Sequence, residues 1–132
     1  MKHHPIFQNA ITWQKELINR TVVAPMSRVS ATADGLATEE MKDYYSAFAI
    51  GGFGVIITEG IYTDIYGSQS YNNQPALINE AQRASWEKVT RAVHESPTLI
   101  FAQLMHAGAL SQYSVDTLAP SALKPIGIKM PS

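Results

Sequence analysis

The sequence predicts an α/β protein built on parallel strands. Two observations carry that expectation. The apolar runs at residues 21–24, 53–58 and 99–104 lack the polar alternation of a half-solvated strand, so the longer two must be covered on both faces. Two segments of helical periodicity separate these runs, giving the order strand, helix, strand, helix, strand. Strands connected through helices cross over right-handed and lie parallel. Three of them in 132 residues make either a small open sheet or the first three β/α units of a partial (β/α)8 barrel. Closing such a barrel takes eight strands and about 250 residues. Either arrangement leaves apolar surface in need of a cover.

The first strand, Thr21-Val22-Val23-Ala24, is β-branched and is closed by Pro25, which cannot donate to a sheet ladder. After a polar loop turning at Asp34-Gly35, Thr38 is placed to cap a helix over 38–50. Its hydroxyl accepts from a free amide, and Glu39 and Glu40 sit at the positive end of the helix dipole. Met41, Tyr44, Tyr45, Phe48 and Ala49 repeat at i, i+3, i+4, i+7 and i+8 as one apolar stripe, and Gly51-Gly52 ends it. Phe53-Gly54-Val55-Ile56-Ile57-Thr58 reads as a buried central strand, and the polar stretch 60–78 as a long loop. Asn79, with Gln82 three residues on, caps a second helix carrying Trp86, Val89 and Val93. That helix should end near Glu95, because Ser96 precedes Pro97. Leu99-Ile100-Phe101-Ala102-Gln103-Leu104 is the third strand, and residues 109–132 show no periodicity. Both helices are expected on one side of three adjacent parallel strands.

Composition narrows the functional classes. Eleven acidic residues against ten Lys plus Arg give a net charge of -1, and the isoelectric point is near 6.4. A basic face for nucleic acid or an anionic membrane is not expected. With no cysteine there is no disulfide, thiolate metal site or cysteine nucleophile, and the cytoplasm is the default compartment. Residues 1–10 lack the apolar run of a signal peptide, and no stretch approaches the ~20 apolar residues of a membrane span.

Ligands of parallel α/β proteins collect at the carboxyl ends of the strands. Here those ends are Ala24-Pro25-Met26-Ser27-Arg28, Thr58-Glu59-Gly60 and Gln103-Leu104-Met105-His106-Ala107-Gly108. The pattern alone names no ligand, since every strand must end in something polar. Ser27 could cap a turn, Gly60 could be an ordinary turn glycine and Gln103 could satisfy loop backbone. His106 reads as a hydrogen-bonded histidine at a strand end, His94 as solvent-facing on its helix, and Glu59 as structural rather than a general base.

These segments carry a resemblance. Together with Leu17-Ile18-Asn19-Arg20, Asp34-Gly35-Leu36-Ala37-Thr38, Gly51-Gly52-Phe53-Gly54-Val55-Ile56-Ile57-Thr58-Glu59-Gly60, Asn73-Gln74-Pro75 and Ala119-Pro120-Ser121-Ala122, they resemble successive motifs of the old yellow enzyme family, the FMN-dependent ene-reductases and NADH:flavin oxidoreductases. The resemblance implies that residues 1–132 are the N-terminal part of one FMN-binding TIM-barrel domain. It implies FMN as cofactor, NAD(P)H as reductant and a small enone-type substrate in the complete protein. By the same resemblance Ala24, Pro25, Met26 and Ser27 form the first flavin-contacting loop, with the Ser27 hydroxyl at the N5/O4 edge of the ring. Gly60 becomes the small residue whose backbone approaches the isoalloxazine. Gln103 supplies the amide that reads the pyrimidine end, offering the donor and the acceptor that flavin O2 and N3–H require. Met105 stands where the family commonly has an aromatic residue, and Ala109 where it often has arginine. The family's substrate-binding histidine pair, its tyrosine proton donor and its phosphate site fall on later strands, and no residue here matches them. The alternative expectation is therefore a non-catalytic remnant or interaction module that keeps the family's strands without its substrate and phosphate sites.

Overall fold

The structure, a computed structural model, describes residues 4–12, 14–123 and 126. His3 and residues 124, 125 and 127–132 of the expected irregular stretch lie outside the described residues. The order of elements is a 3-10 turn at Pro5–Phe7, β1 (Ala10–Thr12), β2 (Lys15–Leu17), β3 (Val22–Val23), α1 (Glu39–Ile50), β4 (Val55–Tyr62), α2 (Glu80–Val93), β5 (Leu99–Met105) and a second 3-10 turn at Gly108–Leu110. β1 and β2 form an antiparallel hairpin, while β3, β4 and β5 form a separate parallel sheet in that spatial order. The three apolar runs thus pair as the sequence implied. The described residues form this open sheet and the hairpin, and not a closed barrel.

Local chemistry sets both helices. The Thr38 hydroxyl accepts from the Met41 N–H at 3.3 Å. At the other end of α1, Gly52 takes φ 82, a left-handed conformation that L side chains resist. There its N–H donates to the Ala49 carbonyl, the Phe53 N–H donates to the Phe48 carbonyl, and the Phe48 and Phe53 rings meet edge to face at 5.5 Å. α2 begins with a reciprocal cap, in which Asn79 Oδ1 accepts from the Gln82 N–H at 3.0 Å and Gln82 Oε1 accepts from the Asn79 N–H at 3.2 Å. It ends at Val93, before the expected Glu95, because the N–H and hydroxyl of Ser96 both bond the Val93 carbonyl and close the last turn early.

One face of the parallel sheet packs on both helices. Val23, Ile56 and Ile61 meet Met41, Tyr45 and Ala49 of α1 and Trp86, Val89 and Val93 of α2 in a single buried cluster, with Ile100 packed against it. Residues two apart on a strand share a face, so the register places Val22, Val55, Ile57, Phe101 and Gln103 on the opposite side. Among the described residues no helix covers that side, and Val22 remains 50% exposed. Asn19 ties the start of β3 to the end of α1. Its Oδ1 accepts from the N–H and hydroxyl of Thr21 and its Nδ2 donates to the Gly52 carbonyl at 2.7 Å.

Two differences from the sequence reading bear on the site. β4 does not stop at Thr58 but continues to Tyr62, so residues 60–62 of the expected loop are strand. Between Ile57, opposite Phe101, and Gly60, opposite Gln103, β4 holds one extra residue. Thr58 makes this bulge tolerable, its hydroxyl accepting from the Gln103 N–H at 3.0 Å and donating to the Glu59 carbonyl at 2.8 Å. The second difference is the hairpin, which a polar segment with Gln14 at φ 64 did not announce.

Candidate functional site

The carboxyl ends of β3, β4 and β5 gather the residues that the sequence singled out. The bulge in β4 puts Gly60 directly beside Gln103 in the ladder. Gly60 is buried, its carbonyl accepts from Gln74 Nε2 at 2.9 Å, and a Cβ built on it would collide with the Met105 side chain. A larger residue here would require the Met105 side chain to move aside. Gln103 is exposed and its backbone is spent on Thr58, but its side-chain amide bonds to none of the described residues. Ala24, Pro25, Met26 and Ser27 leave β3 as an exposed segment, and the Ser27 hydroxyl lies 2.8 Å from the Tyr71 hydroxyl.

Glu59 and Arg28 hold that segment in place. Glu59 is 2% exposed. Its Oε2 accepts from the Arg28 N–H at 3.1 Å and its Oε1 from the Tyr45 hydroxyl at 3.2 Å, while the Tyr45 oxygen accepts from the Glu59 N–H at 2.9 Å. Burial raises the Glu59 carboxyl above its ordinary range, against the opposing pull of the Arg28 amide and the Tyr45 hydroxyl. Burial also pushes the Tyr45 phenol upward, so it keeps its proton as a donor. Both carboxylate oxygens are committed to structure, as the sequence reading held. The Arg28 guanidinium lies 3.9 Å from the centre of the Tyr44 ring and 3.3 Å from Glu40 Oε1, clamping the loop onto α1. Directly after it, Val29 has φ 51, a strained value for a β-branched residue and one concentrated at functional loops.

The loop between β4 and α2 closes the same end. Asp64 Oδ1 accepts from the N–H groups of Tyr66, Gly67 and Ser68. Burial raises its carboxyl, and those three amides more than offset this, leaving it below the ordinary range. His106 accepts from the Gly108 N–H at Nδ1 (3.0 Å) and presents Nε2 to Asp64 Oδ2 at 3.6 Å, which matches a strand-end structural histidine. His94 is the exposed C-cap of α2. Tyr71 and the buried Gln74 are the residues at this end whose part single-residue reasoning missed. Asn73-Gln74-Pro75 was visible as a motif, but Tyr71 finds its partner 44 positions away and carries no local signal. Among the described residues no group of three or more His, Asp or Glu could hold a metal ion, and no helix is long and apolar enough to cross a membrane.

Comparison with known proteins is consistent with this arrangement. The chain is 39% identical over 93 residues to chanoclavine-I aldehyde reductase fgaOx3 of Penicillium roqueforti, covering 70% of this chain and 25% of that protein. It is 31% identical over 128 residues to the NADH oxidase of Thermoanaerobacter brockii, covering 96% of this chain and 20% of that one. The crystal structure of old yellow enzyme from Pichia sp. superposes with a TM-score of 0.78 at 30% identity, covering 83% of this chain and 28% of that chain. This chain thus spans a quarter or less of the length of these two curated relatives. The profile of the NADH:flavin oxidoreductase / NADH oxidase family, FMN-dependent oxidoreductases that draw on NAD(P)H, matches residues 5–130. On that match, which runs through all three strand ends, the chain belongs to the NADH:flavin oxidoreductase / NADH oxidase family.

Proposed function

We propose that residues 1–132 supply the first three β/α units of an FMN-binding barrel, and that the protein acts as an oxidoreductase on small activated alkenes. When bound, the flavin supplies hydride transfer from NAD(P)H to an alkene conjugated to a carbonyl. The observation that carries this reading is the pairing of Gly60 with Gln103, whose amide is exposed and free of partners among the described residues. The donor set fits the ring. Gln103 can donate and accept at once along a pyrimidine edge. Ser27 offers a hydroxyl toward the opposite edge, where a donor stabilises charge that builds on reduction. Gly60 sits beside Gln103 in the ladder, and the room left by its missing Cβ is taken by the Met105 side chain. Ala24, Pro25 and Met26 set the path of the segment that delivers Ser27. The Glu59 anchor, through the Arg28 amide, keeps that path fixed.

The second reading, a non-catalytic interaction module, draws on the sheet face that no helix covers among the described residues, where Val22 is half exposed. One experiment separates the two. The intact polypeptide is purified, its mass determined and its visible absorbance recorded, and anaerobic NAD(P)H oxidation is followed with and without a simple cyclic enone. A yellow chromophore and enone-dependent oxidation are expected. A colourless protein that neither takes up FMN nor oxidises NAD(P)H would sink the enzyme reading in favour of the module.

A further inference from the structure

Tyr71 stands in a short loop that is fixed from several directions. Gln74, 1% exposed, accepts from the Ser70 N–H at 2.7 Å and donates to the Gly60 carbonyl at 2.9 Å. The Asn73 carbonyl accepts from the Ala31 N–H at 3.1 Å, and Asn73 itself takes φ 54 where the chain reverses. Gln69 Nε2 donates to the carbonyl of Tyr71 at 3.0 Å. The loop is thereby referenced to β4 through Gly60 and to the segment after β3 through Ala31. Ser27 is referenced to the same two strands, through β3 and through the bond from Arg28 to Glu59. Their hydroxyls meet at 2.8 Å, with Tyr71 half-buried and Ser27 exposed.

Between a phenol and an aliphatic alcohol the phenol is the stronger donor, so the Tyr71 O–H donates and the Ser27 oxygen accepts. This leaves the proton of Ser27 directed away from Tyr71. An alcohol that accepts one hydrogen bond is polarised into a better donor for the next. We propose that Tyr71 is a positioning residue for the Ser27 hydroxyl, fixing the direction of its proton and strengthening it as a donor to a flavin ring at this end of the sheet. The inference rests on the flavin reading and adds a residue to it. If the bond merely joined two loops, its removal would leave the electronic properties of the flavin unchanged.

The test uses the intact flavoprotein containing this chain as wild type, Tyr71→Phe, Ser27→Ala and the double variant, with redox titration against a reference dye and visible spectra of the bound flavin. In Tyr71→Phe the ratio of reduced to oxidised flavin at a fixed potential should fall about fivefold, equivalent to about 20 mV for a two-electron couple. Ser27→Ala should fall at least as far, and the double variant no further than Ser27→Ala alone. Fluorotyrosine at position 71, a stronger donor of nearly the same shape, should move the ratio upward. A Tyr71→Phe protein indistinguishable from wild type, additive effects in the double variant, or no response to fluorotyrosine would each overturn the proposal. A wild-type protein that holds no flavin would instead overturn the flavin reading, and this inference with it.

Discussion

Removing the Glu59 side chain tests how the site segment is held. In Glu59→Ala the Arg28 N–H and the Tyr45 O–H lose their acceptors, at 3.1 and 3.2 Å in the native protein. Each buried donor left unsatisfied costs about 1–3 kcal/mol. Arg28 is only partly buried and its amide can recruit water, so its share lies at the low end. Tyr45 is 2% exposed and cannot. The sum is roughly 2–4 kcal/mol, and at about 4 °C per kcal/mol for a chain of this size the melting midpoint should fall by roughly 8–16 °C. Glu59→Gln keeps one acceptor and should lose about half as much. The pH dependence separates hydrogen bonding from charge. Because burial raises the Glu59 carboxyl in the folded protein, the folded state binds its proton more tightly than the unfolded chain. Stability contributed by this group is therefore full below the ordinary glutamate range and is lost as pH rises through the raised value. Thermal unfolding followed by circular dichroism from acid to neutral pH should show the gap between wild type and Glu59→Gln shrinking as pH rises. A Glu59→Ala midpoint within about 2 °C of wild type, a value below the cost of even one orphaned donor, would refute the reasoning.

Three further outcomes are expected. Titration of the purified 132-residue chain with FMN, followed by flavin fluorescence quenching, should show weak binding or none, since ring-edge contacts without an amide cradle for the phosphate forgo much of the favourable energy. Tight saturable quenching would contradict this. If the intact protein binds flavin as proposed, Gln103→Ala should release it while the far-ultraviolet circular dichroism stays native, because the side-chain amide bonds to none of the described residues; retained flavin would remove Gln103 from the site. Asn79→Ala should cost about 1 kcal/mol through loss of the α2 cap, lowering the melting midpoint by about 4 °C without touching the strand ends.

What the sequence discloses tracks how local the physics is. The Thr38 and Asn79 caps, the Gly52 terminator and the stripe from Met41 to Ala49 are each settled by residues within one or two helical turns, and all were legible. The path of β4 was not. Glu59 and Gly60 look like the end of a strand, and the strand passes through them because Thr58 bonds a residue 45 positions away on β5. The candidate site divides in the same way. Ser27, Gly60 and Gln103 were visible as the tips of apolar runs, whereas Tyr71 gains its place only when two loops are folded onto one another.

The lopsided exposure of the sheet has a consequence for handling and biogenesis. β5 runs for seven residues from Leu99 to Met105 without a charged side chain, and it forms one edge of the sheet while β3, at the other edge, is only two residues long. A long apolar edge without lysine, proline or glutamate to interrupt it is a template for another strand of any origin. Whenever this segment is displayed before a neighbouring strand is laid against it, as during synthesis or after thermal opening, intermolecular β-pairing competes with native pairing. The loss should therefore grow with protein concentration and begin at β5, which makes this strand, rather than the buried central β4, the one whose protection governs yield.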